Sequence, residues 1–323
     1  MAYKEVVENF QGLIATLDAK KEPQITPNFE SRRADSAWSL CENGKELPPL
    51  KFSNGKTQTD VINEVINAIK SGTKVVFIHG VCGTGKSAIA LNIARELGRA
   101  SIVVPVKALQ RQYEEDYTDK KYVIKSNGKK LVISMITGRE NHSSVIRPEV
   151  SCADPTLPDT VKITEKNWSI IQEYYRQNPL IKNKELRSLK GIKRVSIAPA
   201  NPYWSPILST KYELDLPDAK IKRYRGLEGN DFVFYHRKQG CGYYDQYQAY
   251  LDADVVIFNA AKYKIETIMN RKPLTDVDII DEADEFLDEL AERETLNITR
   301  LESALIYLET SFENEETLDI IKE

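Results

Sequence analysis

Gly80-Val-Cys-Gly-Thr-Gly-Lys-Ser87 is the segment that most restricts what this 323-residue chain can fold into. It fits the pattern Gly-x-x-x-x-Gly-Lys-Ser/Thr in full. An apolar run, Lys74-Val-Val-Phe-Ile-His79, precedes it, and residues 87–97 behind it read as a helix closed by Gly98. Glycines in such a loop let backbone amides turn inward around phosphate oxygens, and the helix behind presents its positive end to them. Gly80, Gly83, Thr84 and Gly85 are expected to form the cradle. Lys86 is expected to reach the β and γ phosphates, and Ser87 to hold magnesium through its hydroxyl. Cys82 sits at a free position of the pattern and is read as a filler. The requirement is a strand that delivers the loop and a helix that leaves it, which is an α/β arrangement.

The rest of the pattern agrees. Val61, Ile62, Val65, Ile66 and Ile69 fall on one helical face over residues 59–71. Short apolar strands are expected at 74–79, 101–105, 131–136, 254–258 and 277–280, with helices between them. This alternation indicates a parallel sheet covered on both faces. The last strand ends in Asp281-Glu-Ala-Asp284. An acidic pair at a strand end is the second element of a phosphate-loop ATPase: Asp281 for magnesium, Glu282 to orient and deprotonate the attacking water. Asp278, inside that strand, suggests that the strand is less buried than its neighbours.

Composition sets the class. Hydrophobic residues make up 41% and charged residues 29% of the chain. No apolar run approaches the roughly 20 residues that cross a membrane, and residues 1–10 lack a signal core. A cytoplasmic protein is expected, nucleoid-associated if prokaryotic, with no membrane partner. The four cysteines, Cys41, Cys82, Cys152 and Cys241, form no close pair in sequence, so a disulfide framework is not expected. The net charge of −3 hides an asymmetry: residues 161–240 hold 16 Lys/Arg against 8 Asp/Glu. A basic middle in an acidic chain fits either a polyanion partner or a solvated surface.

With both motifs in view, Asp281-Glu-Ala-Asp284 resembles the DEAD/DEAH box of superfamily-two helicases. Gln58, within Lys56-Thr-Gln-Thr-Asp60, stands where those proteins carry an adenine-sensing glutamine. Pro105-Val-Lys-Ala-Leu-Gln-Arg-Gln-Tyr113 is similar to their motif Ia, which contacts the nucleic-acid backbone and so points to Lys107 and Gln110. Asp252-Ala-Asp-Val-Val-Ile-Phe-Asn259 resembles the segment before the DEAH box in XPD- and DinG-type helicases. Gly138-Arg-Glu-Asn-His142 and Cys241-Gly-Tyr-Tyr244 resemble runs that flank the iron–sulphur cluster of that group. The resemblance covers residues 52–285 and implies a RecA-like motor using ATP and Mg2+ on single-stranded or forked DNA, 5′ to 3′. The cluster itself is doubtful. It needs four cysteines, and only Cys152 and Cys241 are in place, with Ser143 and Ser144 where the first is expected. These two are read as vestigial ligands.

Five segments follow: an extension over 1–50, with a helical period in 1–20; the motor over 51–137 and 250–285; an insertion lobe over 138–249; and a helical, arch-like segment over 286–323. Trp168, Tyr174, Tyr175, Trp204 and Phe232 are candidate core of the lobe. Its basic runs, Lys190-Gly-Ile-Lys-Arg194 and Lys220-Ile-Lys-Arg-Tyr-Arg225, make Lys220, Lys222, Arg223 and Arg225 the expected nucleic-acid contacts. The resemblance implies a second RecA-like domain in a longer protein. Hydrolysis by this chain alone should then be weak, since an arginine finger from a neighbour contributes roughly 10³–10⁵ in rate. Two other readings fit the same residues: an ATP-binding scaffold of a nucleic-acid complex that never unwinds, and a small-molecule kinase, which the DEAD tetrad disfavours.

Overall fold

The computed structural model describes residues 36–290, apart from 82, 183, 190, 191 and 213. The helical period of residues 1–20, most of the segment after 286 and part of the 190–194 basic run lie outside the described residues. In chain order the main elements are β1 (Cys41–Glu42), β2 (Lys45–Glu46), α1 (Gln58–Lys70), α2 (Lys86–Leu97), β3 (Ala100–Val104), α3 (Lys107–Glu114), β4 (Lys121–Tyr122) and β5 (Ile133–Ile136). The insertion contributes α4 (Trp168–Gln177), β6 (Ile207–Ser209), β7 (Lys220–Arg225) and β8 (Asp231–His236). The chain then returns through α5 (Gly242–Asp245), α6 (Ala249–Asp252), β9 (Val255–Asn259), α7 (Ala260–Ile268) and β10 (Val277–Ile280), with α8 (Ala283–Leu290) following. The described residues up to Glu282 pack as one compact unit, and those from Ala283 belong to a second.

The central sheet is parallel, in the order β10-β3-β9-β5. β3 and β9 are buried along their whole length, as strands covered on both faces must be. α1 begins at a capping box, in which Thr57 and Asp60 each satisfy the other's backbone N–H. Its inward residues Ile62, Val65 and Ile66 join Leu91, Ala94, Ile102, Val104 and Ile257 in the main core. Trp38 and Leu40 lie in the same core, and Cys41 pairs in a small sheet, β2-β1-β4. Residues 36–46 thus pack into the main core and its flanking small sheet. Their short, irregular elements carry no periodicity that a sequence reading could use.

One expected strand is not formed. Residues 74–79 have no ladder partners, and Val75, Phe77 and Ile78 are exposed, Phe77 by 80%. Only Val76 packs on the core. An apolar run encodes a tendency to bury, but a strand also needs an edge in hydrogen-bonding register, and the parallel sheet ends at β10 without it.

The insertion carries its own antiparallel sheet, β6-β8-β7, over a small core of Leu216, Val233 and Tyr235, with Trp204 packed alongside. A second small core gathers Val161, Ile171 and Ile197, with Tyr174 against it. Phe232 is buried and stacks on Tyr224. Trp168 and Tyr175 are only half-buried. Among the described residues no helix is long and apolar enough to cross a membrane.

Candidate ATP site and the neck of the insertion

The phosphate loop is held open by its glycines. Gly83 and Gly85 sit at φ +83° and +72°, in the left-handed region that side chains disfavour. Gly85 has a second constraint: a Cβ there would lie 2.4 Å from Gln58 Nε2. Gly85 is also the N-terminal cap of α2, so the helix starts with Lys86 and Ser87 and points its positive end at the loop.

Gln58 is 2% exposed and ties the loop to the chain before it. Its amide donates to the Thr84 carbonyl at 2.9 Å, and its carbonyl accepts from the Leu50 N–H at 2.8 Å. The residue expected to sense adenine therefore also fixes the phosphate loop.

β10 lies beside β3, and its end brings the acidic pair to the loop. The Asp281 N–H donates to the Val103 carbonyl at 2.8 Å, continuing the ladder. Glu282 then turns into the left-handed region at φ +51°, which costs on the order of 1 kcal/mol or more for a residue with a side chain. The turn directs its carboxylate back to Lys86, and the two make an ion pair at 2.8 Å. Two residues 196 positions apart are thus joined at the site that needs both.

Asp281 is more secluded. Burial raises its carboxyl above the ordinary carboxylate range, Glu282 adds to the rise, and Tyr113 and Lys86 oppose it. The Tyr113 hydroxyl donates to Asp281 Oδ2 at 3.2 Å, and the Ser87 side chain lies near the same hydroxyl. Burial, and then the negative Asp281, push the Tyr113 hydroxyl well up, so it stays a proton donor. Ser87 and Asp281 therefore face one point, as two ligands of a shared hard cation would. The residues present fit magnesium held by a hydroxyl, a carboxylate and substrate phosphates.

Tyr113 was not singled out in the sequence for this site. The available signal was helical spacing: Gln110 and Tyr113 stand at i and i+3 of α3, and both are buried. Replacing Tyr113 by Phe keeps the ring but leaves the buried Asp281 carboxylate short of a donor. The nucleotide-free chain is expected to lose about 1–2 kcal/mol, read as a lower urea midpoint; an unchanged midpoint would remove the contact.

The expected nucleic-acid residues separate. Gln110 is 2% exposed and its amide donates to the carbonyls of Ile136 and Ile257, both at 3.0 Å. It clamps β5 to β9 and does not reach the surface. Lys107 is exposed and paired with Glu140 at 2.9 Å. In β7 the strand alternation divides the basic run. Lys220, Lys222 and the buried Tyr224 share one face, where Lys222 bonds Gln248, while Arg223 and Arg225 stand exposed on the other beside Ile221. The four cations do not form one patch.

The runs 138–142, after β5, and 241–244, before β9, meet. Arg139 pairs with the buried Asp159 at 2.7 Å and donates to the Tyr244 hydroxyl at 3.0 Å. Tyr244 itself bonds Asp159, and Asn201 donates to the other Asp159 oxygen at 3.2 Å. Cys152 and Cys241 lie beside this network with their sulfurs 3.8 Å apart. Their contact holds the Cys241 thiol down to about 7 and raises that of Cys152. Ser144 lines the same small cavity. Among the described residues no group of three or more His, Cys, Asp or Glu could hold a metal, so these two thiols do not fit a cluster that needs four.

Residues 51–185 match the family model described as "Type III restriction enzyme, res subunit". The match is to a helicase-superfamily ATPase domain, and the parallel α/β sheet is that of a RecA-like fold. The match takes in α1, the phosphate loop, β3, α3, β5 and the start of the insertion. It stops well before Asp281 and Glu282, which the sheet brings in, and it does not single out the XPD and DinG branch. No curated protein and no solved structure matches the chain.

Proposed function

We propose that the chain is the ATP-hydrolysing half of a DNA translocase of the XPD and DinG type. The observation that carries the ATPase reading is the meeting of Lys86 with Glu282, with Asp281 held beside them by Tyr113. In this reading Lys86 leaves Glu282 for the β and γ phosphates, and the freed carboxylate orients and deprotonates the attacking water. A magnesium ion held by Ser87 and Asp281 would supply charge neutralisation at the phosphates. The XPD and DinG affinity is supported by the insertion's position between β5 and β9 and by the joining of residues 138–142 to 241–244 at its neck. By that analogy, movement on single-stranded DNA runs 5′ to 3′ and requires a second RecA-like domain as partner.

The test is binding of the chain to single-stranded DNA across a salt series, with duplex as control. Arg223 and Arg225 are the cations of β7 placed for phosphate contacts. Arg223→Glu with Arg225→Glu is expected to lower the slope of log K against log salt by about 1.4, at ~0.7 per lost contact. Lys222→Ala, turned toward Gln248, is expected to change the slope little. An unchanged slope in the double variant takes the track off this strand. ATP binding without any DNA binding or DNA-stimulated hydrolysis in the longer protein would favour the scaffold.

A further inference from the structure

We propose that Cys152 and Cys241 are a redox-modification site, a dithiol that a small hydroperoxide converts to a disulfide across the neck of the insertion. The inference rests on the geometry of the neck and not on the translocase reading. The two sulfurs are 3.8 Å apart, and closing them to the roughly 2.0 Å of a disulfide needs a movement of less than 2 Å. The residues are 4% and 3% exposed, so solvent thiols are kept away from both. Ser144, Asp159, Asn201 and Tyr244 line the cavity that both cysteines open on. Its volume of about 10 Å³ is on the scale of a single water, which excludes a bulky disulfide oxidant.

The position gives the bond its consequence. Cys152 follows β5, where the chain leaves the motor, and Cys241 opens α5, where it returns. A bond between them closes a loop of about 90 residues and staples the root of the insertion. The runs 138–142 and 241–244 are already joined there through Arg139, Asp159 and Tyr244.

The chemistry balances with hydrogen peroxide as the oxidant. One thiolate attacks a peroxide oxygen, the O–O bond breaks, and a sulfenic acid forms with release of hydroxide, which takes a proton to become water. The second thiolate attacks the sulfenic sulfur and displaces hydroxide, which leaves as a second water. Two thiols lose two electrons and two protons, and one peroxide is reduced to two waters.

The experiment uses the full chain, reduced, freed of reductant without oxygen, and treated with hydrogen peroxide. The free thiol count in denaturant is expected to fall from the four of the sequence to two, and the intact mass to fall by about 2 Da. A peptide map should join Cys152 to Cys241, and a dithiol reductant should restore the count. Cys152→Ser and Cys241→Ser should each abolish the link while the remaining cysteine accumulates a trappable sulfenic acid. Four thiols remaining after peroxide would overturn the proposal. So would a link through Cys41 or Cys82, sulfinic acids without a link, or stoichiometric iron and sulfide on these cysteines in protein isolated without oxygen.

Discussion

Replacing Glu282 by Gln is expected to lower ATP turnover by about 10²–10⁴-fold, the range that a positioned general base contributes, while ATP affinity stays equal or becomes tighter. The two effects separate because Glu282 has two partners in succession. Without nucleotide its carboxylate holds Lys86 at 2.8 Å. That pair must open before the lysine can reach phosphate. Glutamine removes the charge that competes for Lys86, so binding loses an obstacle, and it removes the base, so hydrolysis loses its proton acceptor. The left-handed turn at Glu282 is kept, since Gln differs by one atom in shape. Equilibrium ATP binding and single-turnover hydrolysis, measured on the same preparation, check this. Loss of affinity in step with rate would make Glu282 a binding residue, and a rate within a few-fold of the parent would move the base elsewhere.

The geometry of the candidate site was legible in the sequence to the extent that it is local. Gly80–Ser87 sets its own conformation by glycine spacing, and the acidic pair marks a strand end wherever that strand lies. What the sequence left out is what the sheet brings together. Tyr113 stands in the motif Ia-like run, and only the packing of α3 on β3, β5 and β9 brings its hydroxyl to Asp281. Gln110, read as a nucleic-acid contact from the same run, faces inward because helical spacing puts it on Tyr113's side. The basic run of β7 reads as one patch in sequence, yet period-two alternation sends its cations to opposite faces. Residues 74–79 have the composition of a strand and no ladder, because composition does not specify a partner edge.

Asp278 is the sharpest of these cases, and it carries the second large prediction. An acid inside an apolar strand suggested a strand less buried than its neighbours, and β10 is half-buried where β3 and β9 are buried throughout; what the sequence did not show is that Asp278 is the anion paired with a buried lysine. Lys272 is fully buried, and its ammonium donates to Asp278 at 2.8 Å, Thr275 at 2.8 Å and Ser101 at 3.1 Å. Ser101 lies opposite Asp278 in the β3–β10 register, and the Tyr263 hydroxyl of α7 donates to the other Asp278 oxygen at 2.8 Å. All three ammonium hydrogens have acceptors, which is what makes the burial tolerable. Lys272→Met leaves the carboxylate buried without its counter-charge and is expected to cost about 3–5 kcal/mol, measured by urea unfolding of the chain. Adding Asp278→Asn removes the orphaned charge, keeps an acceptor for one of Tyr263 and Thr275 and turns an amide donor to the hydroxyl oxygen of the other, so the double variant should recover at least half of the loss. A single variant within about 1 kcal/mol of the parent would show that the charge is not held as described. Because Asp278 and Asp281 belong to one strand and its end, the single variant should also weaken ATP binding, and the double variant should restore it with the fold.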